Sequence, residues 1–178
     1  FLQNHTLPFM VELLNRAINK KKIGYFQIKK TLEKAAFGIS FDVNRGDSVI
    51  NYTWFSLIDI GIREFFKQLQ KAVKMKQTDW RFTIDFLVPK FEAIFREIVE
   101  NAGGDITKVK ENGDSELKPL EDLFASSIIK EIFNEDDIFL FRHTFTKVGW
   151  NIRNNVAHGL YKSFDYTLSK AILVFLCI

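Results

Sequence analysis

Arg153, Asn154 and His158 stand within six residues of one another, in the stretch GWNIRNNVAHGLYKSF that covers 149–164. An imidazole that titrates near neutrality can take and return a proton. A guanidinium can hold two phosphate oxygens and offset negative charge developing at phosphorus. An asparagine beside it can orient the arginine or touch the phosphate itself. A plainer reading uses the same residues: cations near a helix C-terminus answer its dipole, and Gly159 ends the helix in a left-handed conformation. Two details strain the plain reading. Asn154 and Asn155 form a costly pair inside a helix. By the 3.6-residue period, Arg153 and His158 point about 140° apart, so one copy holds them awkwardly for joint work on one phosphate. A two-fold dimer apposing two copies of this terminus would surround one cleft with two arginines and two histidines.

Other chemistries lack their parts. Three histidines (His5, His143, His158) and one cysteine do not make a zinc site of the usual spacing. There is no glycine-rich phosphate loop, no G-x-S-x-G elbow and no dinucleotide fingerprint, and nothing points to a Ser-His-acid triad. The expectation is therefore a site with no metal and no cofactor. Glu92 and Arg96, four apart, read as a structural ion pair on a helix. Glu135, Asp136 and Asp137 read as compensation of a helix dipole, not as metal ligands. Arg142, Lys147 and Lys162 could extend a basic groove or lie on a solvated surface, and His143 reads as a partly buried helix residue.

The elements that must position these residues read mostly as helix. TLPFMVELLNRAINKK has a cap signal at Thr6, an early Pro8 and apolar residues at helical spacing. A more polar helix follows over YFQIKKTLEKAAF. ISFDVNRGDSVINYT then reads as a loop or weak hairpin around an Arg-Gly-Asp turn. Ile58, Ile62, Phe65, Leu69 and Val73 make one stripe. Leu87, Phe91, Ile94, Phe95 and Ile98 make another, with Pro89 marking a kink or a helix start. Asn112-Gly113 signals a hairpin in an exposed excursion over 105–118. Three helices follow; the spacing of Ile138, Phe141, Phe145, Val148, Ile152 and Val156 predicts that the second runs unbroken to about Ala157, and Ser163 suits the cap of the third. The expected fold is all-α, a helical bundle with that one excursion. The expected domains are 1–52, a helical segment ending a preceding region, and 53–178, the bundle carrying the motif.

The chain has 178 residues, 19 of them phenylalanine, and 47% are hydrophobic, enough for a bulky aromatic core. A net charge of +3 permits an anionic partner without requiring one. The single Cys177 excludes an internal disulfide, sits in an apolar run that favours a buried thiol, and fits a reducing cytoplasm. The start FLQNHTLPFM lacks an initiator Met and a signal pattern, and KAILVFLCI ends in an uncapped apolar run, so the expectation is a fragment of a longer protein. No apolar run inside the chain approaches the roughly 18 residues of a membrane span; an anchor beyond residue 178 stays open.

RNNVAH resembles the R-x4-6-H motif of the HEPN superfamily (higher eukaryotes and prokaryotes nucleotide-binding), with an Asn beside the Arg. More narrowly, RNNVAHG is similar to the Arg-Asn-x-x-x-His-Gly signature of a domain-of-unknown-function family within or near that group. The upstream FLVPKFEAIFREIVENAGG…LKPLEDLF is similar to that family's proline, Glu and Arg pattern. The resemblance covers roughly 79–178. It implies a helical bundle that dimerises through the motif, either a metal-independent ribonuclease or a module that has lost activity and binds nucleotide, RNA or a partner. On the ribonuclease reading the substrate's 2′-hydroxyl is the nucleophile, so RNA is cut and DNA is not, and no DNA-specific motif is present. His158 is then the general acid/base, Arg153 the phosphate clamp and Asn154 the orienting or phosphate-contacting residue.

Overall fold

The computed structural model describes residues 7–20, 22–111 and 113–178. The Thr6 cap, His5 and the Asn112 half of the hairpin signal lie outside them. The described elements are α1 (Leu7–Asn19), α2 (Tyr25–Lys34), β1 (Ser40–Arg45), β2 (Ser48–Thr53), α3 (Trp54–Val73), α4 (Arg81–Asn101), β3 (Thr107–Val109), β4 (Ser115–Leu117), α5 (Leu120–Phe124), α6 (Ser127–Ile132), α7 (Glu135–Phe145), α8 (Ile152–Ala157) and α9 (Leu168–Leu176). The all-α expectation is corrected: the protein is mixed, 62% helical and 11% strand, with two small antiparallel sheets.

The first sheet forms where a loop or weak hairpin was expected. β1 and β2 pair antiparallel over six positions, from Ser40↔Thr53 to Arg45↔Ser48. Phe41, Val43, Val49, Ile50 and Tyr52 are residues a pleated surface favours. The Phe41 and Tyr52 rings face each other across the ladder at 5.8 Å, and Phe41 also stacks on Trp54 at 5.0 Å. The ladder is thus tied to the first residue of α3. There Thr53 caps the helix: its side chain accepts from Ser56 N–H while the Ser56 hydroxyl accepts from Thr53 N–H. The second sheet pairs Lys108↔Glu116 between β3 and β4, where an ion pair of 3.3 Å joins the same residues.

The chain divides into two compact units. One takes residues up to Leu87 together with Tyr166–Phe175; the other takes Val88–Asp165 and Leu176–Ile178. The 52/53 boundary falls inside the first unit, at the end of β2. In that unit Ile58, Ile62, Phe65 and Leu69 of α3 are fully buried, as are Ile84, Leu87 and Ile172. Phe65 stacks on Phe175 at 4.4 Å and meets Trp80 at 5.8 Å. In the second unit the core is a phenylalanine cluster: Phe91 stacks on Phe145 at 4.2 Å, and Phe95 meets Phe124 at 4.8 Å and Phe141 at 5.8 Å. α4 runs through Pro89 without a break in assignment. The stretch expected as one helix before residue 134 is two, α5 and α6, because the Ser126 hydroxyl turns back to cap the second by accepting from Ile129 N–H.

Candidate functional site

The motif does not sit at the end of a long helix, and that expectation is corrected. α7 stops at Phe145, and α8 covers only Ile152–Ala157. The connection folds back on α7: Trp150 N–H donates to His143 C=O at 2.8 Å, and Gly149 and Asn151 N–H donate to Thr146 C=O at 3.1 and 3.0 Å. A Cβ at position 149 would lie 2.0 Å from the His143 carbonyl oxygen, so only glycine permits the return. Asn151 then takes φ 51°, the left-handed conformation that asparagine tolerates better than most residues. The apolar spacing continued through the break because Phe145 and Ile152 are both buried, one on each side, while Val148 between them is 67% exposed. Ser163 opens a 3-10 turn, Ser163–Asp165, and α9 begins only at Leu168.

α8 ends in a Schellman arrangement. Leu160 N–H reaches Asn155 C=O at 2.8 Å, Gly159 N–H reaches Val156 C=O at 3.1 Å, and Gly159 has φ 62°. His158 is the capping residue, with φ −99° and ψ 5°. Its side chain is exposed and makes no hydrogen bond among the described residues. Asn154 and Asn155 offset their poor helix propensity with side-chain bonds. Asn154 Nδ2 donates to Asn151 Oδ1 at 2.8 Å, and its Oδ1 accepts from Arg153 Nη1 at 3.1 Å; Asn155 Nδ2 donates to Trp150 C=O at 3.5 Å.

Arg153 is anchored across 61 positions of sequence. Its Nε donates to Glu92 Oε2 at 2.7 Å and its Nη2 to Glu92 Oε1 at 3.1 Å. Arg96 Nη2 donates to the same Oε1 at 2.6 Å and also to Lys118 C=O at 2.9 Å. Glu92 therefore lies between two guanidiniums, with side-chain exposures of 16% for Glu92, 10% for Arg96 and 32% for Arg153. Burial pushes the Glu92 carboxyl up, but hydrogen bonds and charge from Arg153 and Arg96 outweigh it and hold the group below the usual glutamate range. The hydrogen bond to Glu92 raises Arg153 further above its ordinary value. A guanidinium has five N–H donors; Glu92 takes two, Asn154 takes one, and one on each Nη is left for another acceptor. Two arginines against one carboxylate leave the group with a formal charge of +1.

The Glu92–Arg96 pair was visible as an i, i+4 spacing. The link from Glu92 to Arg153 was not, since no local signal joins α4 to α8. The structure brings Arg153 and Asn154 together, whereas no bond joins the His158 imidazole to either. A separate cleft of about 730 Å³ lies along α6 and α7, lined in part by Phe133, Phe139, Arg142, His143 and Val148; Arg153, Asn154 and His158 are not in its lining. His143 stacks on Phe139 at 5.7 Å, and burial lowers its pKa. Lys147 and Lys162 are exposed. Cys177 is buried, its thiol pushed up to about 12 by desolvation, and it contacts Thr144 Oγ1 at 3.5 Å. Among the described residues, no three of His, Cys, Asp and Glu are grouped to hold a metal ion, and no helix is long and apolar enough to cross a membrane. No protein-family model matches the chain, and neither a curated protein nor a solved structure matches it.

Proposed function

We propose that the chain is a HEPN-like, metal-independent endoribonuclease that works as a homodimer. One observation carries the reading. A short glycine-closed helix holds an arginine, oriented by a half-buried carboxylate and with two N–H groups to spare, five residues before an exposed imidazole committed to no bond. In the reaction, the 2′-oxygen of RNA attacks the adjacent phosphorus and gives its proton to His158 of one copy. The P–O5′ bond breaks, and the 5′-oxygen takes a proton from the imidazolium of the second copy. Arg153 holds the non-bridging oxygens, while Glu92 and Asn154 keep its fork in place. The products are a 2′,3′-cyclic phosphate and a 5′-hydroxyl, and DNA is not a substrate.

The test is cleavage of RNA in EDTA with product-end analysis. His158→Ala should lower kcat by about 10²–10⁴-fold with the melting temperature unchanged, since the side chain is exposed. Undiminished cleavage by that variant overturns the proposal. A second reading, a non-catalytic module that dimerises or binds nucleotide or RNA, is favoured by the three Arg153 donors already satisfied within the fold. It gives no cleavage by the wild type, and a loss of affinity on Arg153→Ala.

A further inference from the structure

The charge of the chain is unevenly placed. Residues 16–76 carry 13 Lys and Arg against 5 Asp and Glu, a formal +8, and the remaining residues carry 12 against 17, a formal −5. Within that basic stretch, α2 and α3 flank a groove of about 460 Å³ in the first unit. Its floor includes Phe66. One wall carries Tyr25, Phe26 and Lys29 of α2, and the other Arg63 and Lys67 of α3. Along α3, Arg63 and Lys67 lie one turn apart on one face, and Lys74 at the C-cap continues the same line within about 40° by the helical period, so they form one cationic rail.

The aromatic side of the groove is unlike a packed core. Phe26 is 77% exposed, and α2 has no fully buried residue. Tyr25 beside it is held firmly: its hydroxyl bonds Asp59, Arg63 Nη2 donates to that hydroxyl at 3.2 Å, and the Arg63 guanidinium lies 5.1 Å from the ring centre. Tyr25 and Phe26 meet edge to face at 5.2 Å. One aromatic ring is thus open to solvent and backed by a fixed one, with Lys29 on its own helix and Arg63 and Lys67 on the facing one. Acids of their own helices meet Lys29, Arg63 and Lys67 (Glu33 at 3.5 Å, Asp59 at 2.8 Å and Glu64 at 3.1 Å), but Lys30 and Lys74 form no ion pair among the described residues.

We propose that this groove binds single-stranded nucleic acid, with a base stacked on Phe26 and the backbone phosphates following Lys29, Lys67 and Lys74. Stacking on an exposed aromatic beside a basic track is sequence-tolerant, because every base offers a π-face. A bilayer would call for a broad apolar face on the same helix. Here the other exposed residues of α2 include Gln27, Lys30, Glu33 and Lys34, and Ile28 and Leu32 are partly covered, so one protruding ring suits a base and not a lipid surface. The site lies outside the Arg153–His158 motif and stands or falls without the ribonuclease reading.

The experiment is fluorescence anisotropy with a labelled twelve-nucleotide 2′-O-methyl RNA, which cannot be cut by 2′-hydroxyl attack. Binding is therefore read whether or not the motif is catalytic. Phe26→Ala is expected to weaken binding about ten-fold or more. Lys67→Glu should weaken it as well and flatten the dependence of affinity on salt. Circular dichroism of both variants should match the wild type, as both side chains are exposed. No binding by the wild type overturns the proposal. So does unchanged affinity for Phe26→Ala, which would mean charge alone, or Phe26-dependent binding to phosphatidylserine vesicles without binding to the oligonucleotide.

Discussion

Glu92 decides what Arg153 can be. A lone arginine in the first turn of a short helix would sample many rotamers; here a carboxylate 16% exposed fixes the Nε and Nη2 edge. Arg96 shares that carboxylate, so removing it leaves a buried Arg96 and a half-buried Arg153 facing each other. Glu92→Gln is expected to cost about 2 kcal/mol at neutral pH, less than the roughly 3–5 of a fully buried pair, because Arg153 keeps contact with solvent. The sign with pH follows from the depressed carboxyl. Its stabilisation is present above the unfolded glutamate pKa and is lost as pH falls through the lower folded value. The gap between wild type and Glu92→Gln in urea unfolding should therefore narrow as pH falls below about 4. A gap equally wide at pH 3 and pH 7 would show that packing and not charge makes the difference. Arg153→Lys offers a matching check on function: lysine supplies charge without the fork, and cleavage should stay impaired.

The short helix α8 depends on the turn before it. Gly149→Ala would push a methyl carbon against the His143 carbonyl, and opening that contact should cost about 1–3 kcal/mol. Because α8 starts three residues later, RNA cleavage should fall with the melting temperature. A stable Gly149→Ala protein with full activity would show that the return turn does not position the motif. This turn also marks where the sequence stops being legible. The stripes of α3 and α4 and the glycine that closes α8 could be read from period and residue type. The break at 146–151 could not, because Phe145 and Ile152 keep helical spacing across it. Its cause is a close backbone approach that Gly149 permits but does not announce. The strands β1 and β2 read as no more than a loop or weak hairpin for a related reason: their support is the stacking of Phe41 on Trp54, a contact no local pattern shows. At the site, the Arg, Asn and His were legible as a motif, and so was the Glu92–Arg96 spacing. That one carboxylate serves both arginines is a property of the packing of α4 and α8 alone.

At the scale of the whole molecule, the question is how many chains make one site. Arg153 is anchored inward by Glu92, and His158 caps the helix with its imidazole exposed and unbonded, so one copy offers a clamp without a bonded acid–base partner. The proposed cleavage also needs two proton transfers on opposite sides of phosphorus, one from the 2′-oxygen and one to the 5′-oxygen. On the proposed reading, two copies related by a two-fold axis would supply one imidazole for each transfer and two clamps for one phosphate, without either chain distorting its helix end. Activity should then be a property of the pair. On dilution, specific activity is expected to fall, with the same midpoint at which sedimentation shows the pair dissociating into chains of 20.8 kDa. Mixing equal amounts of Arg153→Ala and His158→Ala chains with exchange of partners should leave about half of the pairs with one clamp and one imidazole, so the mixture should cleave faster than either variant alone. Constant specific activity well below the dissociation midpoint would mean that a single chain completes the site, with His158 serving both transfers in turn.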